Sequence, residues 1–181
     1  LEVWCEAAGM IEQLNRVASD YSVRVYSSSG FDSTTARKDL ADRICEIGKP
    51  TVVLHLGDCD PSGESIFETL EEDVTAFVMA DRPWNDLTVR FKRVALTDEQ
   101  IRKYDLTTYP AKESDSRSRG WGDRPTCQLE ALAPDMIADL LRQAIVEELD
   151  AERLDLAREV EGIEREELTQ LLLAGPGSER R

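Results

Sequence analysis

Three acidic residues stand where strands are predicted to end, and their chemical type suits a divalent cation. Residues 51–56 form a nearly continuous apolar run rich in β-branched side chains, which is typical of a strand buried on both faces of a parallel sheet. Asp58 and Asp60 follow this run, and Glu6 follows a shorter apolar segment at 2–5. Like charges this close repel one another unless a cation lies between them. Because oxygen ligands favour Mg²⁺ or Mn²⁺ over zinc, the sequence predicts metal ligands at Asp58 and Asp60. A solvated acid at a strand end is the alternative for Glu6.

The elements along the chain predict an α/β fold that brings these acids together. Apolar residues recur at helical spacing after each predicted strand. The predicted strands cover residues 2–5, 23–26, 51–56 and 88–96. Right-handed crossovers between them give a Rossmann-like parallel sheet with helices on both faces. Ligands bind such sheets at the carboxyl ends of the strands, so Glu6, Asp58 and Asp60 are expected to share one crevice.

The chain is predicted to contain one α/β domain and a helical extension. The α/β domain covers residues 1–132. Residues 133–174 form C-terminal helices that pack on this domain or extend from it, and residues 175–181 form a disordered tail. Because the sequence begins in a strand without an initiator Met, we expect a fragment of a larger protein.

The net charge, the hydropathy and the cysteine content of the chain disfavour several classes of protein. The net charge is −15, which argues against tight nucleic-acid binding by this chain alone, although carboxylates around a metal would contribute to the same total. No membrane span is expected, because there is no long apolar run. The four cysteines lack metal-binding spacing and favour a reducing cytoplasm. The single histidine, His55, lies inside a predicted buried strand and is interpreted as structural.

The polar stretch at residues 110–125 is the most basic part of an acidic chain. It contains Lys112, Arg117, Arg119 and Arg124, with Trp121 among them. A mobile cationic loop with an aromatic residue could meet a phosphate backbone or stack on a base. A disordered surface loop is the alternative.

The acid pattern, together with its strand contexts, resembles the Toprim domain of topoisomerases, primases and OLD-family nucleases. Its first motif is Glu6 with Gly9, and its second is Asp-Cys-Asp-Pro-Ser-Gly at residues 58–63. The second motif, the run Arg-Val-Ala-Leu-Thr at 93–97 and the run Leu-Glu-Ala-Leu-Ala-Pro at 129–134 most resemble the topoisomerase VI A subunit. The resemblance covers roughly residues 1–150.

The resemblance implies an Mg²⁺-dependent enzyme domain for phosphodiester cleavage or transfer on DNA or RNA, as in a topoisomerase or a nuclease. Asp58 and Asp60 would bind the metal, and Glu6 would complete the site or act as a general acid or base. Gly63 would let a helix N-terminus approach the metal or phosphate, and Lys112 would stabilise charge. The chain lacks the tyrosine-bearing winged helix of such topoisomerases, so a winged-helix or ATPase domain or subunit is expected elsewhere.

Two other functions remain open at this point. One is a non-catalytic Toprim scaffold in a DNA-repair or defence complex. The other is a haloacid-dehalogenase-type phosphatase. That class normally carries Thr or Val where Ser62 stands, and its acid pair follows the first strand of the domain. A homodimer is compatible with any of these functions.

Overall fold

The sheet is the framework of the fold, and all of its strand pairs are parallel. The computed structural model describes residues 1–27, 34–82, 87–112 and 116–174. Within these ranges the strands are β1 (Glu2–Cys5), β2 (Arg24–Ser27), β3 (Thr51–Leu56) and β4 (Val89–Ala95), in the spatial order β2-β1-β3-β4. The predicted α/β class with a parallel, Rossmann-like sheet is confirmed.

Helices connect and extend these strands. They are α1 (Ile11–Ala18), α2 (Thr34–Ile47), α3 (Pro61–Asp81), α4 (Asp98–Lys103), α5 (Pro134–Glu148) and α6 (Ala151–Ala174). Local sequence explains two of the starts. Pro61 occupies the first turn of α3, where its missing N–H costs nothing, and Thr97 caps α4 in a reciprocal pair with Gln100.

Both faces of the sheet are buried, as predicted. Side chains alternate along a strand, so Trp4 and Val53 share one face and Val3 and Leu54 share the other. The first face packs in one core cluster with α2 and α3 (Leu40, Ala41, Ile44, Cys45, Leu70, Val74 and Val78). Val3 and Leu54 on the second face are also completely buried.

The strand order creates a topological switch between β1 and β3. The chain leaves β1 for β2 on one side, then returns past β1 to β3 and continues outward to β4. In open α/β sheets, ligands bind at the carboxyl ends of the strands on either side of such a switch. Cys5 pairs with Leu56 in register, so the residues that follow β1 and β3 lie side by side at this point.

The chain divides into two compact units, Leu1–Ile145 and Val146–Arg181. The predicted boundary lay earlier, after residue 132. Most of α5 belongs to the first unit because its apolar stripe, including Ile137 and Leu141, is buried there. The second unit contains α6, whose residues through Leu173 are exposed except for the half-buried Leu154.

The predicted tail at 175–181 lies outside the described residues. Within the described ranges, no helix combines the length and hydropathy needed to cross a membrane.

Candidate functional site

The ends of β1 and β3 bring Glu6 and Asp58 together. The Glu6 backbone N–H continues the sheet by donating to the Leu56 carbonyl over 2.9 Å. The Glu6 side chain then turns towards β3, where its Oε2 accepts the Asp58 backbone N–H over 3.2 Å. Two acids that are 52 positions apart in sequence therefore lie in direct contact at the topological switch.

Two glycines make room for the Glu6 carboxylate. A Cβ added at Gly57 would lie 2.7 Å from Glu6 Oε2, and one added at Gly63 would lie 2.3 Å from the Asp58 carbonyl oxygen and 3.2 Å from Glu6 Oε2. Gly63 thus permits the α3 N-terminus to pack closely on Asp58 and Glu6, while its predicted approach to a metal or phosphate stays a prediction. Gly9 differs, because it is exposed and no described atom lies within 4 Å of an added Cβ.

Each of the three predicted ligands is oriented by one backbone N–H through one of its oxygens. Asp58 Oδ1 accepts from Leu129 N over 2.8 Å, and Asp60 Oδ1 accepts from Gly63 N over 2.7 Å as the N-cap of α3. The second oxygens of Glu6, Asp58 and Asp60 have no hydrogen-bond partner within the described residues. We call this set of three carboxylates the acid edge.

The surroundings of Glu6 and Asp58 favour the protonated forms of these two acids. Burial raises the pKa of Glu6, and the charges of Asp58 and Asp60 raise it further, against the lowering effects of the Asp58 N–H and Arg93. Burial also raises the pKa of Asp58, with added contributions from Glu130 and Asp60. A carboxylate with a raised pKa beside other carboxylates suits proton transfer or charge neutralisation by a bound cation.

Arg93 holds the turn that carries Asp58 and Asp60, and the sequence analysis did not assign it this role. Its Nη1 donates to the Gly63 carbonyl over 3.1 Å and its Nη2 donates to the Asp58 carbonyl, so the guanidinium ties the two ends of residues 58–63 together. The signal for this orientation was present in the sequence. Period-two alternation places Arg93 on the same face of β4 as Val89 and Phe91, which are both packed against the core cluster.

Glu130 is a further acid that sequence reasoning missed. The short turn at Leu129–Ala131 lies against the acid edge because Leu129 N donates to Asp58. The adjacent Glu130 is exposed, and its charge raises the pKa of both Asp58 and Cys5. The run at 129–134 had been noted only as part of the family resemblance, and its carboxylate was the available signal.

The donor set of the acid edge fits a hard cation, although the side chains do not form a closed cage. Among the described residues, no group of three or more His, Cys, Asp or Glu side chains has the geometry to hold a metal ion. Mg²⁺ commonly keeps several waters and takes one or two carboxylates together with substrate phosphates. The unpartnered oxygens of Asp58 and Asp60, oriented through backbone bonds, match that mode.

Comparison with known families gave no match. No family model, no curated protein and no solved structure is similar to this chain.

The basic loop is fastened to the fold through Arg124. Its guanidinium pairs with Glu64 of α3 over 2.7 Å and with Asp98 of α4 over 2.9 Å, and we call these three residues the Arg124 latch. Trp121 is only 6% exposed, and Arg124 covers its ring at 4.0 Å. The expectation that Trp121 stacks on a base is therefore wrong for this structure, since burial removes its free ring face.

The other residues singled out in the sequence are the basic residues of the 110–125 stretch and the histidine of β3. None of those described supplies a carboxylate to the acid edge. Lys112 is exposed, and no described hydrogen bond or ion pair joins it to the acid edge. Arg117 donates to the Ser62 hydroxyl at the α3 N-terminus over 3.1 Å, while the Arg119 side chain lies outside the described part. His55 is completely buried against Phe67, and burial, followed by the charge of Arg93, lowers its pKa to about 3. It is therefore a neutral core residue at physiological pH.

Proposed function

We propose that this chain is the catalytic module of an Mg²⁺-dependent enzyme that cleaves or transfers phosphodiester bonds in nucleic acid, as a Toprim domain does. One observation carries the proposal. Glu6 follows β1, Asp58 and Asp60 follow β3 across the switch, and each carboxylate is oriented by a backbone N–H and has one oxygen unpartnered among the described residues.

The surroundings of each residue indicate its role in the proposed reaction. Asp58 and Asp60 present oriented oxygens that would hold Mg²⁺, with Mn²⁺ as a substitute. When bound, the metal would neutralise charge on the phosphoryl oxygens. Glu6 would hold or release the proton of the attacking or leaving oxygen, because burial and the neighbouring acids raise its pKa and strengthen its hold on a proton. Gly63 would let the α3 N-terminus approach a phosphate, because a side chain there would clash with the Asp58 carbonyl.

The charge of the chain indicates that it works with other parts. At −15, its surface repels a nucleic-acid backbone, so a cationic domain or subunit would have to position the substrate. A winged-helix or ATPase domain of a larger protein would meet this need. The four buried free cysteines fit a reducing, cytoplasmic location.

Metal-dependent nicking of supercoiled plasmid by the full-length protein tests the proposal. We expect nicked product with Mg²⁺ or Mn²⁺, none with EDTA, and none with Asp58→Asn, which keeps an acceptor for Leu129 N. Glu64→Gln in the Arg124 latch is the matched control and should remain active. Equal nicking by Asp58→Asn and the natural chain would overturn the proposal. A single-stranded RNA run in parallel decides between DNA and RNA.

A non-catalytic scaffold is the second candidate, and one observation favours it. Asp60 caps α3, and Asp58 and Glu6 tie β1, β3 and the turn at Leu129 together, so all three acids have structural roles without any ion. A chain that binds Mg²⁺ but cleaves neither DNA nor RNA, in a full-length protein of native stability, would support this candidate against the enzyme.

A further inference from the structure

The 24-residue helix α6 exposes a set of large apolar side chains. Leu156 is 61% exposed, Val160 46%, Ile163 53% and Leu171 70%. Burying such side chains would contribute favourably to binding, and contiguous exposed apolar surface of this kind marks interaction sites. None of the acid-edge residues belongs to α6, so binding through this helix is independent of the function of the acid edge.

These four side chains lie along one stripe of the helix, which an acid interrupts, whereas the exposed Leu168, Leu172 and Leu173 lie on other faces of α6. Leu156, Val160 and Ile163 follow the spacing of one helical face, and Leu171 continues that face two turns later. Glu167 lies four residues after Ile163 and four before Leu171, so its exposed carboxylate falls within the same stripe. A partner that covers the stripe must therefore meet a negative charge inside an apolar surface.

The rest of the helix is also negative. Ala151–Ala174 contains seven acidic residues and three arginines, a net charge of −4. Each arginine lies within ion-pair distance of an acid one turn earlier: Arg153 with Asp150, Arg158 with Asp155, and Arg165 with Glu161. The helix therefore does not supply an unengaged cation opposite Glu167 in a second copy of itself.

We propose that α6 is a docking helix for a separate protein, which it binds through an amphipathic helix flanked by Lys or Arg. The apolar stripe of the partner would cover Leu156, Val160, Ile163 and Leu171, and one cation of the partner would face Glu167. A polar residue at a single core position is a known device for fixing register and partner choice. A second copy of this chain is disfavoured, because it would bring two helices of the same sign together.

The probe for this proposal is a labelled synthetic helical peptide of 24 residues, the length of α6. It carries Leu and Ile along one face, one lysine within that face, and further lysines on either side of it. A second peptide carries glutamate at every lysine position. We expect fluorescence anisotropy with the whole chain to give binding at least about tenfold tighter for the basic peptide. Added NaCl should weaken that preference.

Variants of α6 separate the stripe from general charge. Val160→Gln with Ile163→Gln should weaken binding of the basic peptide at least about tenfold, because the apolar contact is lost. Glu167→Lys should weaken it comparably, whereas Glu166→Lys, the same charge change outside the stripe, should have a smaller effect. Circular dichroism checks that each variant keeps its helix content.

Three results would overturn the proposal. Sedimentation showing that the chain alone forms a dimer that the Val160→Gln/Ile163→Gln variant abolishes would identify a second copy as the occupant. Equal affinity for the basic and acidic peptides would remove the charge selection. Absence of binding by either peptide at high micromolar concentration would remove the docking site altogether.

Discussion

The acid edge and the Arg124 latch are two carboxylate clusters near the start of α3, and they balance their charge differently. In the latch, one guanidinium pairs with both Glu64 and Asp98. In the acid edge, the nearest cation, Arg93, donates its hydrogen bonds to backbone carbonyls rather than to the carboxylates. The first cluster is therefore neutralised largely from within, whereas the second keeps an excess of negative charge.

This difference indicates which cluster is the better candidate for binding an external cation. In the half-buried acid edge, the pKa values of Glu6 and Asp58 are raised by burial and by neighbouring acids, so charge in the folded state is costly there. The Arg124 latch instead fastens the loop around Trp121 onto α3 and α4. Carboxylates with a guanidinium partner serve the fold, and carboxylates without one are the candidates for metal chemistry.

The largest expected effect comes from closing the space beside the acid edge. Gly63→Ala places a Cβ 2.3 Å from the Asp58 carbonyl oxygen, which is backbone and must shift. We expect it to lower the free energy of unfolding by about 1–3 kcal/mol or more, measured by urea denaturation. Gly9→Ala is the control and should change stability little, because an added Cβ has open space there. Equal effects of the two substitutions would contradict the described packing.

Removing the hydrogen bonds from Arg93 to the Asp58 and Gly63 carbonyls should disturb the acid edge while leaving the Arg124 latch intact. Arg93→Gln leaves the Asp58 and Gly63 carbonyls short of donors, at a cost of about 1–3 kcal/mol in urea denaturation. Arg93→Lys should recover part of this, since one ammonium can reach one carbonyl. If Arg93→Gln were as stable as the natural chain, these hydrogen bonds would not be what orders the turn.

Breaking the latch should cost less and should depend on salt. Arg124 and its partners are substantially exposed, so Arg124→Met should lower stability by about 1 kcal/mol, and the difference should shrink in high salt. The fluorescence of Trp121 should shift to longer wavelength as its cover is lost. An unchanged emission spectrum would show that other contacts hold the loop.

The pH dependence of stability is the smallest expected effect, and it distinguishes an acid of the acid edge from an acid of the Arg124 latch. Because the pKa of Glu6 is raised in the folded chain, the folded state binds more protons than the unfolded state, and stability falls as pH rises from about 4 through the folded pKa. Glu6→Gln mimics the neutral form, so without metal it should be more stable than the natural chain at pH 7 and about equal near pH 4. Thermal melts across this range measure the difference, with Glu64→Gln expected to lack this gain.

Local patterning predicted the framework that positions the acids. Residues 51–56 form β3 with the predicted bounds, and Glu6 and Asp58 meet because adjacent parallel strands end at the same edge. The side-chain period of a buried strand is contained within a few residues, so it can be recognised without knowing the fold.

Contacts between distant segments were not predictable in the same way. The burial of Trp121 depends on Arg124 finding Glu64 and Asp98, which lie 60 and 26 positions away in the sequence. The position of Glu130 likewise depends on Leu129 reaching Asp58 across 71 positions. Such pairings are set by the assembled tertiary structure rather than by local periodicity, so an isolated basic or acidic residue gives no indication of its partner.

The thermal stability of the chain in Mg²⁺ tests the central claim most directly. The natural chain and Glu64→Gln should both be stabilised, by about 1.4 kcal/mol when Mg²⁺ is tenfold above its dissociation constant. Asp60→Asn, which keeps an acceptor for Gly63 N, should lose most of that gain. If Mg²⁺ stabilised none of the three, or stabilised Asp60→Asn as much as the natural chain, the acid edge would not be a metal site.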